Sequence, residues 1–452
     1  MSSRIDFYER RDGPTRRLGL TNEVAEQPVG VIVGSDAADS LPGQIAAIGL
    51  VNMMARVHRK IRLISPIAPL MVNPHQSGNN LAEALQQTVL AIDPFNEVVL
   101  VDRIDDIPKI GLGTTTKGIS NWQIGASGSR AILTNGDTEF LKDDGSILGA
   151  ALAACLGAAA MFRIAHGMRA SPHIVSCWDL SEGPESSVGP LKIGSLDVGN
   201  VLVVGAGAVG SALSYWLRQL RSEGTWDVVD KDHVALDNTS RSLGMFAADA
   251  GWETGVAARK VDLIARDIGA TPHFAWYDEW IKENDQVRPD LVLPLANERS
   301  VRHLIACRYD PIVLHATTSH TWQAQFHRHI NGIDDCIDCR MRDVKPGVLR
   351  CSDGDVPTPT GQSQDAALPF LSAAAGLLLL SSLYRLAQGE IGAGVVNQLC
   401  LDLSLGHKAT QTSIWQCREI CGNRVPATAL ARIADGTRWA EFVSGGEPVG
   451  GS

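Results

Sequence analysis

Apolar runs broken by glycine turns predict a strand, a turn, a helix and a second strand in the middle of the chain. The β-branched run that begins at Val201 ends in Gly205, Gly207 and Gly210, and a second apolar segment ends in Asp230. Glycines at this spacing allow the backbone to approach a phosphate, which the following helix N-terminus binds. The pattern predicts a mononucleotide-binding βαβ unit with Asp230 on ribose hydroxyls. By itself it fits a dinucleotide-dependent dehydrogenase equally well.

The first half of the chain repeats this plan in a weaker form. A strand-like run starts at Val29, a turn of small residues and an apolar helix follow, and a second strand starts at Ile61. The glycine spacing is broken, and the second strand ends in Ser65 and Pro66 with no carboxylate. The first half is therefore predicted to be Rossmann-like without a nucleotide site.

Two long Ala/Leu-rich runs, 147–162 and 366–386, are predicted to be buried helices. The first is short for a membrane span, and the second contains Pro369 and Arg385. Each half ends on such a run, so an internal repeat of two paired α/β domains is predicted. The predicted parts are an arm (1–28), a degenerate domain (29–180), a linker (181–195) and an active domain (196–452).

Composition limits the partners and the compartment. A net charge of -10 without a Lys/Arg block argues against nucleic acid as the main partner. The N-terminus lacks an apolar signal region, so a cytoplasmic protein without a membrane partner is expected. Nine cysteines in a reducing compartment suggest thiols and a metal site rather than disulfides.

The residues that follow Asp230 favour ATP over a nicotinamide cofactor. Asp232, Asn238, Arg241 and Lys260 come next in order, and cations that converge on phosphates suit an enzyme that splits ATP. This order of motifs resembles the activating-enzyme superfamily of ThiF, MoeB and the ubiquitin-activating enzymes. The resemblance implies two doubly wound α/β domains, with the second an active adenylation domain.

The resemblance also assigns roles to single residues. Arg241 and Lys260 would act on the phosphates, and Asn238 would lie beside them. The family usually has an aspartate for Mg²⁺ where this chain has Asn297, so Asp232 or the phosphates would supply the charge. Arg302 matches a family arginine. In the arm, Arg10 and Arg11 are weak candidates for an arginine that contacts ATP.

Cysteine spacing predicts a structural zinc site. Two close pairs, Cys336 with Cys339 and Cys417 with Cys421, offer four thiolates for a tetrahedral ion. The resemblance makes Cys351, between the pairs, the candidate thioester cysteine, with an ordinary loop cysteine as the alternative. The other cysteines with apolar or helical neighbours are expected to be small buried hydrophobes: Cys155, Cys177, Cys307 and Cys400.

Four histidines are close in sequence: His315, His320, His327 and His329. Their alternation with glutamines favours one polar face of a strand over a metal site.

The resemblance, which is strongest to activating enzymes of bacterial operons that encode a ubiquitin-like protein, implies ATP-dependent adenylation of the C-terminus of such a protein. Capture on Cys351 and transfer to a conjugating enzyme would follow, in operons of the kind associated with antiphage defence. A homodimer is compatible with the resemblance. The alternatives are a sulfur-carrier or peptide adenylyltransferase, a dehydrogenase, and a non-catalytic scaffold.

Overall fold

The computed structural model describes most of the 452 residues. The described residues are 3–13, 21–104, 106–138, 140, 145–319, 321–340, 355–357, 363–365, 368–392, 395–404, 409–411, 415–417, 421, 425–436 and 438–439. Cys351 and His320 lie outside them.

The first half forms a seven-stranded sheet. Its strands are β1 (Val29–Val33), β2 (Ile61–Ile64), β3 (Val99–Leu100), β4 (Lys109–Leu112), β5 (Trp122–Ser127), β6 (Arg130–Thr134) and β7 (His173–Ser176). The spatial order is β3-β2-β1-β4-β5-β6-β7. The first five strands in this order are parallel, and β6 and β7 continue the sheet antiparallel.

The second half forms an eight-stranded sheet on the same plan. Its strands are β8 (Leu196–Val204), β9 (Ser222–Val229), β10 (Thr271–His273), β11 (Leu291–Pro294), β12 (Ile312–Thr318), β13 (Gln323–Ile330), β16 (Gln398–Asp402) and β17 (Ala409–Gln411). The order is β10-β9-β8-β11-β12-β13-β16-β17, with five parallel strands followed by antiparallel ones. A separate hairpin pairs β14 (Asp355–Pro357) with β15 (Ser363–Asp365). The predicted repeat of two α/β halves is confirmed, and both sheets are mixed.

Helices cover the sheets and join the halves. They are α1 (Arg4–Arg11), α2 (Asn22–Glu26), α3 (Ser35–Ala38), α4 (Leu41–Ala55), α5 (Leu81–Ile92), α6 (Leu148–Ala165), α7 (Ala208–Leu217), α8 (Lys260–Ile268), α9 (Tyr277–Glu283), α10 (Arg299–Arg308), α11 (Ile337–Arg340), α12 (Pro369–Ala387) and α13 (Ala427–Gly436). Short 3₁₀ helices span Thr114–Thr116 and Leu236–Ser240.

The two apolar helices meet where the halves pack together. By length and composition α6 and α12 could cross a membrane, but 94% and 89% of their apolar windows are buried in the protein. Helix α6 packs on α4 and α12, and α12 packs on α7. The Phe162 and Phe370 rings lie 5.7 Å apart, and Trp216 donates to the Ala373 carbonyl at 3.1 Å. The prediction that both runs are buried helices is confirmed.

Small residues make this packing close. A Cβ on Gly376 of α12 would lie 2.7 Å from the Ala212 Cβ of α7, and a Cβ on Gly49 of α4 would lie 2.8 Å from the Trp216 ring. Because helices buried on all sides need close neighbours to exclude voids, the Ala/Gly-rich composition suits this position.

In the first half, a carboxylate fills the turn where an anion would bind in a nucleotide site. Asp36 accepts hydrogen bonds from the Thr114 backbone N–H at 2.8 Å and from the Thr114 and Thr115 hydroxyls at 3.1 Å. Burial alone would raise the pKa of Asp36, but these hydrogen bonds outweigh it and lower the pKa. The donors are therefore already satisfied, which agrees with a degenerate half.

Candidate functional site

A cleft of about 470 Å³ opens at the carboxyl ends of β8, β9 and β11. This is the edge where open α/β sheets bind ligands, beside the point where strand order reverses. The cleft is lined by Val204, Gly205, Gly207, Ala208, Val229, Asp230, Lys231, Asp232, His233, Ala235, Asn238, Arg241, Ser242, Met245, Lys260, Ala275, Trp276, Tyr277, Leu295, Ala296, Asn297, Glu298 and Val301. Most of the predicted nucleotide-binding residues are therefore together.

Each of the three glycines in the turn has a different structural role. Gly205 has a φ of +105°, and a Cβ there would lie 2.3 Å from the Ala296 backbone nitrogen. A Cβ on Gly207 would meet no atom within 4 Å, so the backbone at the start of α7 is open to a ligand. Gly210 does not line the cleft, and its Cβ would lie 2.8 Å from the Gly205 carbonyl oxygen, so it allows α7 to pack on the turn.

Asp230 holds the turn as well as lining the cleft. Its carboxylate accepts from the Ala206 N–H at 2.6 Å and from the Asp232 N–H at 2.7 Å. Burial raises the pKa of Asp230, and the two backbone N–H groups act in the opposite direction. One carboxylate thus joins the glycine turn to the end of β9, and its remaining lone pairs are available for ligand hydroxyls.

The 3₁₀ helix after β9 carries Asn238, and Arg241 follows it directly. The Asn238 amide oxygen accepts from the Ala235 N–H at 3.0 Å, which closes the turn that starts this helix. Arg241 donates to the Asp237 carbonyl at 3.0 Å and lies 3.4 Å from the Asp237 carboxylate. Arg241 is thus held at the edge of the cleft by one hydrogen bond of ordinary length and by longer carboxylate contacts that an anion could replace.

Lys260 begins α8 and forms an ion pair with Asp232 at the cleft. Their Nζ and Oδ2 atoms are 2.8 Å apart, and the Lys260 backbone N–H donates to the Asp232 carbonyl at 3.0 Å. The lysine side chain is only 11% exposed, whereas that of Asp232 is 54% exposed. Asp232 thus places the Lys260 cation beside the glycine turn.

Oxygen ligands at one end of the cleft suit Mg²⁺. Asp232, Asn297 and Glu298 all line it, and carboxylate and amide oxygens are the ligands that this ion accepts. Burial raises the pKa of Glu298, as do the nearby carboxylates of Asp232 and Asp230. Arg302 is 4% exposed, does not line the cleft, and donates to the Ala296 carbonyl at 3.3 Å.

Glu298 and Trp276 are among the cleft residues that sequence reasoning missed. Glu298 follows Asn297 directly. The sequence therefore already showed a carboxylate next to the amide that stands where the family usually has an aspartate. Trp276 is 43% exposed at the cleft, where its ring offers a stacking surface for a base. Its placement depends on the turn after β10, which the sequence pattern did not predict.

The four predicted zinc cysteines lie together. The sulfur atoms of Cys336, Cys339, Cys417 and Cys421 are all within 4.8 Å of one another, and those of Cys336 and Cys421 are 3.7 Å apart. Bonds of ~2.3 Å in a tetrahedron place sulfurs ~3.8 Å apart. The neighbouring Cys417 thiol and burial raise the pKa of Cys336. A bound cation would act in the opposite direction, because it favours the thiolate. The cluster therefore fits zinc.

The remaining cysteines divide. Cys155, Cys177 and Cys400 are buried as expected. The expectation for Cys307 is wrong, because it is exposed on α10, where its Sγ lies 3.7 Å from the His303 Nε2 atom. The thioester candidate Cys351 lies outside the described residues.

Three of the four histidines share one buried sheet face. The His315 ring stacks on those of His327 and His329 at 4.5 and 5.2 Å, with interplanar angles of 13° and 5°. Ring nitrogens point outward in the ring plane, so parallel rings do not direct them at a common ion. The strand-face interpretation is confirmed for these three, and the face is buried.

The arm packs on its own chain. Phe7 and Tyr8 are buried against Leu236 of the 3₁₀ helix. Arg11 is buried and pairs with Asp12 at 2.6 Å and with Asp93 at 3.0 Å. The suggestion that Arg11 contacts ATP is therefore wrong, because its guanidinium is enclosed by two carboxylates.

Family comparisons agree with this geometry. Residues 186–419 match the ThiF family, and residues 28–176 match the BilD N-terminal domain. The chain belongs to the ThiF family. None of the curated proteins compared with this ThiF-family chain matches it.

Solved structures of MccB resemble the chain at low identity. E. coli MccB with AMPCPP and selenomethionine MccA is 14% identical over 50% of this chain and 66% of that one, at a TM-score of 0.37. The microcin C7 biosynthetic enzyme MccB with N-formylated MccA is 13% identical over 67% of this chain and 97% of that one, at a TM-score of 0.38.

Proposed function

We propose that this ThiF-family chain binds ATP in the cleft and adenylates the C-terminal carboxylate of a ubiquitin-like protein. The observation that carries the proposal is the convergence of the glycine turn, Asp230, Arg241 and Lys260 on one cleft. Neighbouring carboxylate and amide oxygens fit the Mg²⁺ that accompanies the triphosphate, and this ion would offset phosphate charge.

The chemistry is a displacement at the α-phosphate. A carboxylate oxygen of the substrate attacks the α-phosphorus, the bond to the β-phosphate oxygen breaks, and pyrophosphate leaves with the electron pair. Asp230 holds the ribose, while Arg241 and Lys260 stabilise the negative charge that develops on the phosphates. These cations are fixed before the substrate arrives, so little reorganisation is needed.

A second step would transfer the acyl group to a cysteine. The Cys351 thiolate attacks the acyl carbon, AMP leaves, and a thioester forms for transfer to a conjugating enzyme. The pairing of one open half with one self-filled half supports this assignment, because paired active and inactive halves are the arrangement expected for activators of ubiquitin-like proteins. A role in antiphage defence belongs to the same proposal.

ATP–pyrophosphate exchange tests the first step. Wild-type protein with a ubiquitin-like partner should exchange label, Arg241→Ala should abolish exchange, and Cys351→Ala should retain it. Thioester on a non-reducing gel should require Cys351. Exchange with short peptides but with no ubiquitin-like protein would replace the substrate by a peptide, and ATP binding without exchange would indicate a scaffold.

A further inference from the structure

A fully buried arginine of the degenerate half reaches into the active half. Arg56 follows α4 and is 0% exposed. Its Nη1 donates to the carbonyls of Thr239 and, at 3.2 Å, Met245, and its Nη2 donates to the Leu243 carbonyl at 2.7 Å. Asn52 accepts from the Arg56 Nε at 2.9 Å and donates to the Leu243 carbonyl at 3.3 Å.

The three carbonyl acceptors all belong to one segment of the active site, residues 236–246. The same segment carries Asn238 and Arg241, and Ser242 and Met245 line the cleft with them. Arg56 thus binds the outer side of the segment, whose inner side faces the cleft.

Burial of the Arg56 guanidinium carries a desolvation cost. A charged guanidinium without solvent loses its hydration, and burial lowers the pKa of Arg56 to about 9. Its hydrogen-bond acceptors are carbonyl and amide oxygens rather than carboxylates. The planar group fixes several carbonyls at once, which no other side chain matches.

The rest of the N-terminal half supports the same segment from nearby. Phe7 and Tyr8 pack on Leu236, and the Ala247 backbone N–H donates to the Ala91 carbonyl at 3.0 Å. Both of these contacts lie near the ends of the segment, whereas Arg56 and Asn52 bind carbonyls near its centre.

We propose that Arg56 is a positioning residue of the ATP site, which fixes where Asn238 and Arg241 meet the phosphates. The inference rests on the proposed function. It gives the degenerate half a part in nucleotide binding although its own site is filled by Asp36.

The test compares ATP with AMP as ligands in full-length protein by calorimetry. AMP keeps the adenosine that Asp230 and the glycine turn hold on β8 and β9, but it lacks the β- and γ-phosphates. In Arg56→Met the dissociation constant of ATP should rise about tenfold, while that of AMP should change by less than about twofold, because the carbonyls lose their donors. Arg56→Lys keeps the charge but not the planar fork, and should give an intermediate ATP affinity.

Arg163→Met is the matched control. Arg163 is also 1% exposed in the first half, where its guanidinium donates to the Arg169 carbonyl. Its variant should lower the melting temperature and leave the ratio of ATP to AMP affinity unchanged. If Arg56→Met does not fold, Asn52→Ala removes the acceptor of the Arg56 Nε and should raise the ATP constant by about threefold.

Equal changes in ATP and AMP affinity, or an unchanged ATP constant, in folded Arg56→Met would overturn the inference and leave the proposed function standing. A wild-type protein that binds neither nucleotide would overturn both.

Discussion

The substitution Asp230→Asn should show what Asp230 contributes to the stability of the glycine turn and to AMP binding, separately from its neighbours. The carboxylate accepts two backbone N–H groups, at 2.6 and 2.7 Å. Asparagine keeps one carbonyl oxygen and places an NH₂ against the other N–H, so one hydrogen bond is lost and two donors face each other. A bond to a charged acceptor contributes about 1.5–3 kcal/mol, and an unsatisfied buried donor costs about 1–3 kcal/mol.

One effect reduces this sum. Burial raises the pKa of Asp230, so the native carboxylate already carries a desolvation cost that the neutral amide does not. We therefore expect the free energy of unfolding to fall by about 2 kcal/mol, somewhat below the smallest sum of the two ranges. AMP affinity should fall by about tenfold or more, because the turn and the ribose site both loosen.

Denaturant unfolding and AMP calorimetry measure the two effects, and Asp232→Asn is the control. The Asp232 side chain is 54% exposed and pairs with Lys260 at 2.8 Å. An ion pair with a half-exposed carboxylate contributes at most about 1 kcal/mol, and AMP lacks the phosphates that Lys260 would reach. The reasoning is refuted if Asp230→Asn binds AMP within about twofold of wild type, or if Asp232→Asn weakens AMP as much.

Three further predictions concern other parts of the molecule. Gly205→Ala should destabilise the fold by about 2–4 kcal/mol, whereas Gly207→Ala should keep the melting temperature and lose ATP affinity. Melting curves with and without ATP will show both effects. Equal losses of melting temperature in the two variants would contradict this prediction. Removal of metal by a strong chelator should release ~1 zinc per chain and lower the melting temperature by about 5 °C or more. Cys339→Ser should lower the melting temperature by a similar amount. Native protein that contains no zinc by elemental analysis would exclude the site. Burial and the nearby carboxylates raise the pKa of Glu298, so on acidification it should take up its proton, and weaken Mg²⁺-ATP binding, at a higher pH than an ordinary glutamate would. Glu298→Gln should flatten this part of the affinity profile, and an unchanged profile would remove Glu298 from the ligand set.

Local patterns made much of the fold predictable. The glycine turn, Asp230 and the cysteine pairs each combine a short spacing with one chemical requirement, and the structure brings them together as the spacing suggested. Their roles in catalysis stay predictions, as do the domain boundaries.

Contacts between distant segments were beyond the sequence pattern. Arg11 looked free in sequence, but one of its partners, Asp93, is far along the chain. Cys307 follows two apolar residues, yet the helical turn places Ile305 inward and Cys307 outward. Arg56 had no signal at all, because its partners are mainly backbone carbonyls, which any residue provides.

The packing of α6 on α12 has a consequence for synthesis. Helix α6 is apolar enough to resemble a membrane segment, and its partner α12 begins about 200 residues later. At ~5–20 residues per second, the emerging chain exposes one side of α6 for roughly 10–40 s. During that interval α6 offers a surface that chaperones and membrane-insertion factors bind. The interior of the finished protein is thus a hazard for the unfinished one.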